Sequence, residues 1–219
     1  MDPESVDKRF YEKKWMSIGN WNKERAPYLK KSAGIEGLIA LKWAKEVLKN
    51  GKVLDLGCGA GRNSVLFAKN GFKVRGVDFS SKAIKLANLL KAENKSFAKF
   101  SVQSALELDL PNNSFDLVLD FGCFHHFRKN QWHKYLKNVL KVLKEKSYYL
   151  LYCFSKESGI TGNYDKIKDY SYRNHHYNHY FSLEEINSFF SKNFKIIKKS
   201  VIKQKTRVLA FNIILMQRL

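Results

Sequence analysis

Three glycines at alternate positions, Gly57, Gly59 and Gly61, follow the short apolar run Val53-Leu-Asp-Leu56 and precede a stretch of helical spacing. Glycine there lets the chain turn sharply at a strand end and bring its backbone against a ligand. The helix that opens next offers its free N–H groups. Nicotinamide and flavin sites want the third glycine one position later, where Arg62 stands. Asp55, two residues before the first glycine, is placed to receive a ligand amine directly or through water, and Cys58 shares the loop. Asp78 ends the next apolar run, about 20 residues downstream, the spacing of a carboxylate that grips ribose hydroxyls. Phe79 follows it, placed to lie against an adenine. The plainer reading of Asp78-Phe-Ser-Ser81 is a helix-capping turn.

A second group lies at Asp120-Phe-Gly-Cys-Phe-His-His-Phe127. His125 and His126 are adjacent, so only one of them faces a reactant. A histidine there can take the proton of a hydroxyl, amine or thiol; the alternative is capping of, or packing under, the next helix. Further along, Tyr170 to Tyr180 carries His175, His176 and His179. Their spacing fits a metal on a helix, yet no carboxylate or cysteine accompanies them, so no metal is expected. Tyr177 and His179 suit a segment that lines a substrate.

These groups need strands that end together and helices that begin there. Ile35, Leu38, Ile39, Trp43 and Val47 predict a helix, stopped by Asn50-Gly51. Lys52–Leu56 and Phe72–Asp78 read as strands around a helix at Asn63–Lys69. Ser80 or Ser81 caps a helix carrying Ile84, Ala87 and Leu90. Phe115–Leu119 and Tyr148–Tyr152 read as strands flanking a helix near Trp132–Leu143. Such alternation predicts an α/β fold, a doubly wound, mostly parallel sheet with helices on both faces. Ligands of such sheets lie at the C-terminal strand ends, where Asp120–Phe127 and Cys153-Phe-Ser155 fall. Phe194–Ile202 and Val208–Met216 are separated by a few residues around Lys205-Thr206. That is too short for a parallel crossover, so they are expected to pair antiparallel. Ser182-Leu-Glu-Glu185 reads as a capping box.

Asp55–Gly61, Asp78 and Ser114-Phe-Asp-Leu-Val118 resemble the motifs of class I S-adenosylmethionine-dependent methyltransferases, over nearly the whole chain from residue 51. The resemblance implies a Rossmann-like sheet of seven strands with the last antiparallel, and S-adenosylmethionine as cofactor. It implies a cofactor set of Asp55, Gly57, Cys58, Gly59, Asp78, Phe79, Ser104, Ala105 and Asp120. Ser104 stands where many members carry Asp, and Glu145-Lys-Ser147 replaces a common Pro-Gly-Gly turn. Phe124-His-His126 is similar to small-molecule methyltransferases, which favours His125 or His126 as the catalytic residue; Phe124, at the same strand end, and Tyr177 and His179, in the segment that can close over it, are expected on the substrate side. Asp120-x-x-Cys123 and Tyr152-Cys153 resemble, with departures, the two cysteine motifs of RNA cytosine-5 methyltransferases; buried cysteine is equally an ordinary small hydrophobe. The aromatic N-terminal segment through Trp15, Trp21 and Tyr28 is expected to fold over the cofactor mouth, or else to pack as a surface helix.

The chain's 219 residues, 44% hydrophobic and 14% aromatic, suit one folded domain (1–219), with 1–34 as a lid and 155–181 as a substrate-side insert. No apolar run reaches the ~18–20 residues of a membrane helix, and Met1-Asp-Pro-Glu4 opens no secretion signal. Three cysteines without metal-ligand pairing suit the cytoplasm. The net charge of +20 invites nucleic acid, but only eight of the 40 basic residues are arginine and the lysines are spread throughout. The expected function is methyl transfer to a small-molecule oxygen, nitrogen or sulfur/chalcogen atom. RNA methylation and a non-catalytic S-adenosylmethionine-binding or adaptor role are the alternatives.

Overall fold

Asn50-Gly51 ends one element and starts the next, and the three apolar residues that follow, Val53, Leu54 and Leu56, have no solvent exposure. A strand buried on both faces is what a parallel sheet demands. The computed structural model describes residues 9–15, 33–158, 170–173, 176–203 and 209–219, in two compact units that divide between Asp109 and Leu110.

The first unit holds a helical segment at residues 9–15, then α1 (Gly34–Val47), β1 (Gly51–Leu56), α2 (Arg62–Lys69), β2 (Phe72–Asp78), α3 (Ser81–Glu93) and β3 (Lys99–Val102). Its strands run in the order β3-β2-β1, all parallel. Gly61, at φ +80°, begins α2; a Cβ there would meet the Phe100 ring at 2.7 Å, so conformation and space both require glycine. The hydroxyl of Ser80 caps α3 by accepting from the Ala83 N–H at 3.2 Å.

The second unit holds β4 (Phe115–Phe121), a 3-10 turn (Phe124–His126), α4 (Lys129–Val142), β5 (Leu143–Phe154), β6 (Tyr170–Arg173), β7 (His176–His179), α5 (Leu183–Phe190), β8 (Phe194–Lys203) and β9 (Ala210–Arg218). β4 and β5 are parallel, and β9 runs antiparallel to both β5 and β8, in the order β4-β5-β9-β8. The buried face of α4 is Trp132, Tyr135, Leu136, Val139 and Val142, at helical spacing. Strands β1–β5, β8 and β9 with their helices are the expected Rossmann-like α/β set, parallel except at the C-terminal hairpin.

Two elements differ from expectation. β5 begins at Leu143, directly after α4, with no turn residue between. The last carbonyls of α4, on Lys141 and Val142, accept instead from the N–H groups of Asn113 and Ser114 at 3.0 and 2.9 Å. The histidine-rich stretch is not helical: β6 and β7 form an antiparallel hairpin that pairs Tyr172 with Tyr177. The spacing that fitted a metal on a helix is therefore lost. Among the described residues no group of three potential metal ligands converges. Trp21, Tyr28, His175 and Lys205-Thr206 lie outside the described residues.

Candidate active site

In the first unit the glycine loop is folded onto the end of β2. The N–H groups of Gly57 and Cys58 both donate to the Val77 carbonyl, at 2.8 and 2.9 Å. The Gly59 N–H donates to Asp78 Oδ2 at 2.9 Å, and the Ser80 N–H to Oδ1 at 2.9 Å. Burial pushes the Asp78 carboxyl up to about 6, against the pull of these two donors. Each carboxylate oxygen has a second lone pair, so two donors leave room for more.

Asp55 is buried and accepts from the Ser64 hydroxyl at 2.6 Å. Gly76 keeps that space clear, since a Cβ there would come within 2.8 Å of Ser64 Oγ. Cys58 is half-buried on the loop. Ser104 spends its hydroxyl on the Leu106 N–H at 3.1 Å, while Ala105 is buried beside it.

The helical segment at 9–15 lies against this loop. The Tyr11 ring meets Phe79 edge-on at 5.7 Å between centroids, and Glu12 accepts from the Ser81 N–H at 3.0 Å. Trp15 is buried with Ala60, Ala83 and Leu86, so close that a Cβ on Gly59 would come within 2.9 Å of its ring.

In the second unit Asp120 has no solvent exposure, and both oxygens hold the turn after β4. Oδ1 accepts from the Cys123 N–H at 2.8 Å, and Oδ2 from the Phe124 N–H at 3.0 Å and the Tyr135 hydroxyl at 2.5 Å. Its expected contact with the cofactor gives way to this internal task, because its lone pairs are directed at the turn. Phe124 likewise moves from the substrate side to the core: it is fully buried among Trp132, Tyr135, Phe181 and Phe190.

His125 is 4% exposed and lies 4.2 Å from the Phe154 ring, whereas His126 is half-buried, with Nδ1 3.3 Å from the Tyr177 carbonyl oxygen. Tyr177 is buried, and its hydroxyl lies 3.2 Å from His179 Nδ1. His179 has no exposure and bonds Glu185 through Nε2, so it serves Tyr177 rather than meeting a substrate itself. Cys153 is fully buried, which pushes its thiol well up and makes it inert as a nucleophile.

Two features escaped the sequence. The Glu185 N–H donates to the Ser182 hydroxyl oxygen, as the capping box requires, but the Glu185 carboxylate turns to His179. Rings from three neighbouring strands also stack in a column: Phe121 on Tyr152 at 4.2 Å and 4°, then Tyr152 on Phe211 at 4.6 Å and 10°. Only the registers of β4, β5 and β9 reveal it.

A family model described as a methyltransferase domain matches residues 53–146. An uncharacterized methyltransferase of Schizosaccharomyces pombe is 33% identical over 104 residues, 48% of this chain and 72% of that protein. The chain belongs to the class I S-adenosylmethionine-dependent methyltransferases. The methyltransferase is also 30% identical over 132 residues to a ubiquinone biosynthesis O-methyltransferase of Pelagibacter ubique, covering 60% of this chain and 53% of that one. Its fold matches the crystal structure of 1,6-didemethyltoxoflavin-N1-methyltransferase of Burkholderia thailandensis, solved with 1,6-didemethyltoxoflavin and S-adenosylhomocysteine. The TM-score is 0.75 at 17% identity, over 100% of this chain and 91% of that one. The residues present fit the cofactor of the methyltransferase: a buried carboxylate with spare lone pairs, a glycine loop, and Phe79 beside them. No helix among the described residues is long and apolar enough to cross a membrane.

Proposed function

We propose that this methyltransferase carries a methyl group to an oxygen, nitrogen or chalcogen atom of a planar small-molecule acceptor. The observation that carries this reading is the column Phe211–Tyr152–Phe121, which ends on the half-buried ring of Phe121. A flat acceptor extends such a column by one more ring, at a gain of about 0.5–1.5 kcal/mol beyond burial. Two proteins similar to this chain are named for transfer to small molecules, the ubiquinone-biosynthesis O-methyltransferase and the toxoflavin-type N1-methyltransferase.

When bound, S-adenosylmethionine supplies an electrophilic sulfonium methyl. In this reading Asp78 holds the ribose, the Gly57–Gly61 backbone the cofactor's polar tail, and Phe79 the adenine, with Asp55, Ser64, Ser104 and Ala105 shaping the surround. Residues 9–15 act as the lid through Tyr11 and Trp15. The aromatic column orients the acceptor, and a histidine of the Phe124–His126 turn takes its proton. Alignment supplies much of the rate, because the electrophile is already activated. Residues 1–219 work as one methyltransferase domain, with 155–181 as its acceptor-side insert. The compartment is the cytoplasm, in keeping with three free cysteines.

The test is formation of S-adenosylhomocysteine by the full chain with planar phenols, heteroaromatic amines and aryl thiols, against aliphatic alcohols and tRNA. Turnover with a planar class is expected. Turnover confined to aliphatic alcohols, or to tRNA, rejects the reading.

A further inference from the structure

The contact between His126 Nδ1 and the Tyr177 carbonyl fixes a tautomer. A carbonyl only accepts, so the nitrogen facing it carries the hydrogen, and in the neutral ring Nε2 holds the lone pair. Tyr177 is itself held by a chain of side chains. Its hydroxyl lies 3.2 Å from His179 Nδ1, and His179 Nε2 lies 3.1 and 3.0 Å from the two oxygens of Glu185. The same logic applies along the chain: the carboxylate accepts, so His179 is protonated on Nε2 and its Nδ1 accepts the Tyr177 hydroxyl. Around it, Trp132 meets the His179 ring edge-on at 4.9 Å, and the Arg128 guanidinium lies over the Tyr177 ring at 5.4 Å. Strand β7 is thereby fastened to the starts of α4 and α5, beside the turn that carries His126.

We infer that His126, not His125, takes the acceptor's proton, through Nε2, and that Tyr177, His179 and Glu185 are positioning residues that set its tautomer through the Tyr177 carbonyl. The inference rests on the proposed transfer for its reaction. As the acceptor's oxygen, nitrogen or chalcogen forms its bond to the methyl carbon, its hydrogen passes to His126 Nε2. The methyl–sulfur bond breaks with its electron pair going to sulfur, and the positive charge of the sulfonium ends on the imidazolium, which then releases its proton to water. His125 is excluded by burial against Phe154.

The test is NMR of the full chain labelled with ¹⁵N in its six histidines, recorded above neutrality, where long-range correlations separate the two neutral tautomers. The wild type is expected to show His126 protonated on Nδ1 and His179 on Nε2. His179→Ala and the milder Glu185→Ala are expected to give His126 mixed tautomers, with S-adenosylhomocysteine affinity held within roughly twofold by calorimetry, as for independent sites. His126 protonated on Nε2 in the wild type overturns the inference. So does an unchanged His126 in a folded Glu185→Ala chain, which carries the test alone if His179→Ala does not fold. The tautomers are read without an acceptor, so a failure of the positioning chain is told apart from a failure to find an acceptor.

Discussion

Tyr135 donates its hydroxyl to Asp120 at 2.5 Å, and that carboxylate also accepts from the backbone of the turn bearing His125 and His126. Tyr149 completes the cluster, its hydroxyl 2.9 Å from that of Tyr135. Tyr135→Phe leaves a buried carboxylate with one donor fewer. Stability is expected to fall by about 1.5–3 kcal/mol, the range for hydrogen bonds to charged groups. Urea unfolding measures it, and a loss below about half a kcal/mol would make the bond incidental.

The same carboxylate gives the fold a pH dependence. Burial raises Asp120 from 3.8 to about 6, so the folded chain holds this proton more tightly than the unfolded one. Its contribution is fully present below 3.8 and is lost as pH rises through about 6. Between pH ~4 and ~7 the wild type is expected to lose about 2 kcal/mol relative to Asp120→Asn. Parallel unfolding curves for the two proteins across that range contradict it.

Asp78 is raised to about 6 as well, but here a ligand competes for it. Ribose hydroxyls donate to the ionised form, so affinity for S-adenosylhomocysteine is expected to weaken below pH 6, by up to roughly tenfold per unit. Asp78→Ala is expected to bind roughly 10- to 150-fold more weakly, with no such pH dependence. Calorimetry across pH 5 to 8 checks both statements, and unchanged affinity removes Asp78 from the site.

Gly59 sits at φ +54° with the Trp15 ring against it. Gly59→Ala adds a methyl group where the ring already lies, at a backbone strain of about 1–3 kcal/mol. Cofactor release is expected to quicken in Gly59→Ala and in Trp15→Ala alike, measured by stopped-flow fluorescence. A release rate unaffected by either change argues against residues 9–15 as a lid.

Phe121→Ala shortens the aromatic column at its end while leaving the glycine loop untouched. The KM for a planar acceptor is expected to rise roughly 5- to 30-fold with cofactor affinity unchanged. A fall in kcat alone would place Phe121 elsewhere in the reaction.

The fold was legible wherever a local rule and the tertiary structure agree. Gly57–Gly61 after an apolar run, Ser80 before α3, and two C-terminal runs too close for a crossover each carry their own instruction. The acceptor side was harder to read. Phe124 and His126 are two residues apart, yet one faces the aromatic core and the other the Tyr177 backbone, because a 3-10 turn separates their directions. The histidines of β7 carry helical spacing, and only pairing with β6 makes them a strand. Glu185 announces a cap and not its long-range bond to His179, since nothing local marks the partner of a side chain.

Ser155 and Phe181 are bridged side by side, with the Phe181 N–H donating to the Phe154 carbonyl and the Lys156 N–H to that of Phe181. The Asn212 amide of β9 donates to the same Phe181 carbonyl at 2.9 Å. The chain therefore leaves and re-enters through one doorway, framed by Ser155, Lys156, Phe181 and Asn212. Lengthening a flexible connection between two fixed ends costs only about 0.6 kcal/mol per doubling. An insertion between Ser158 and Tyr170 is therefore expected to leave the Ser155–Phe181 bridge and the register of β5 on β9 unchanged.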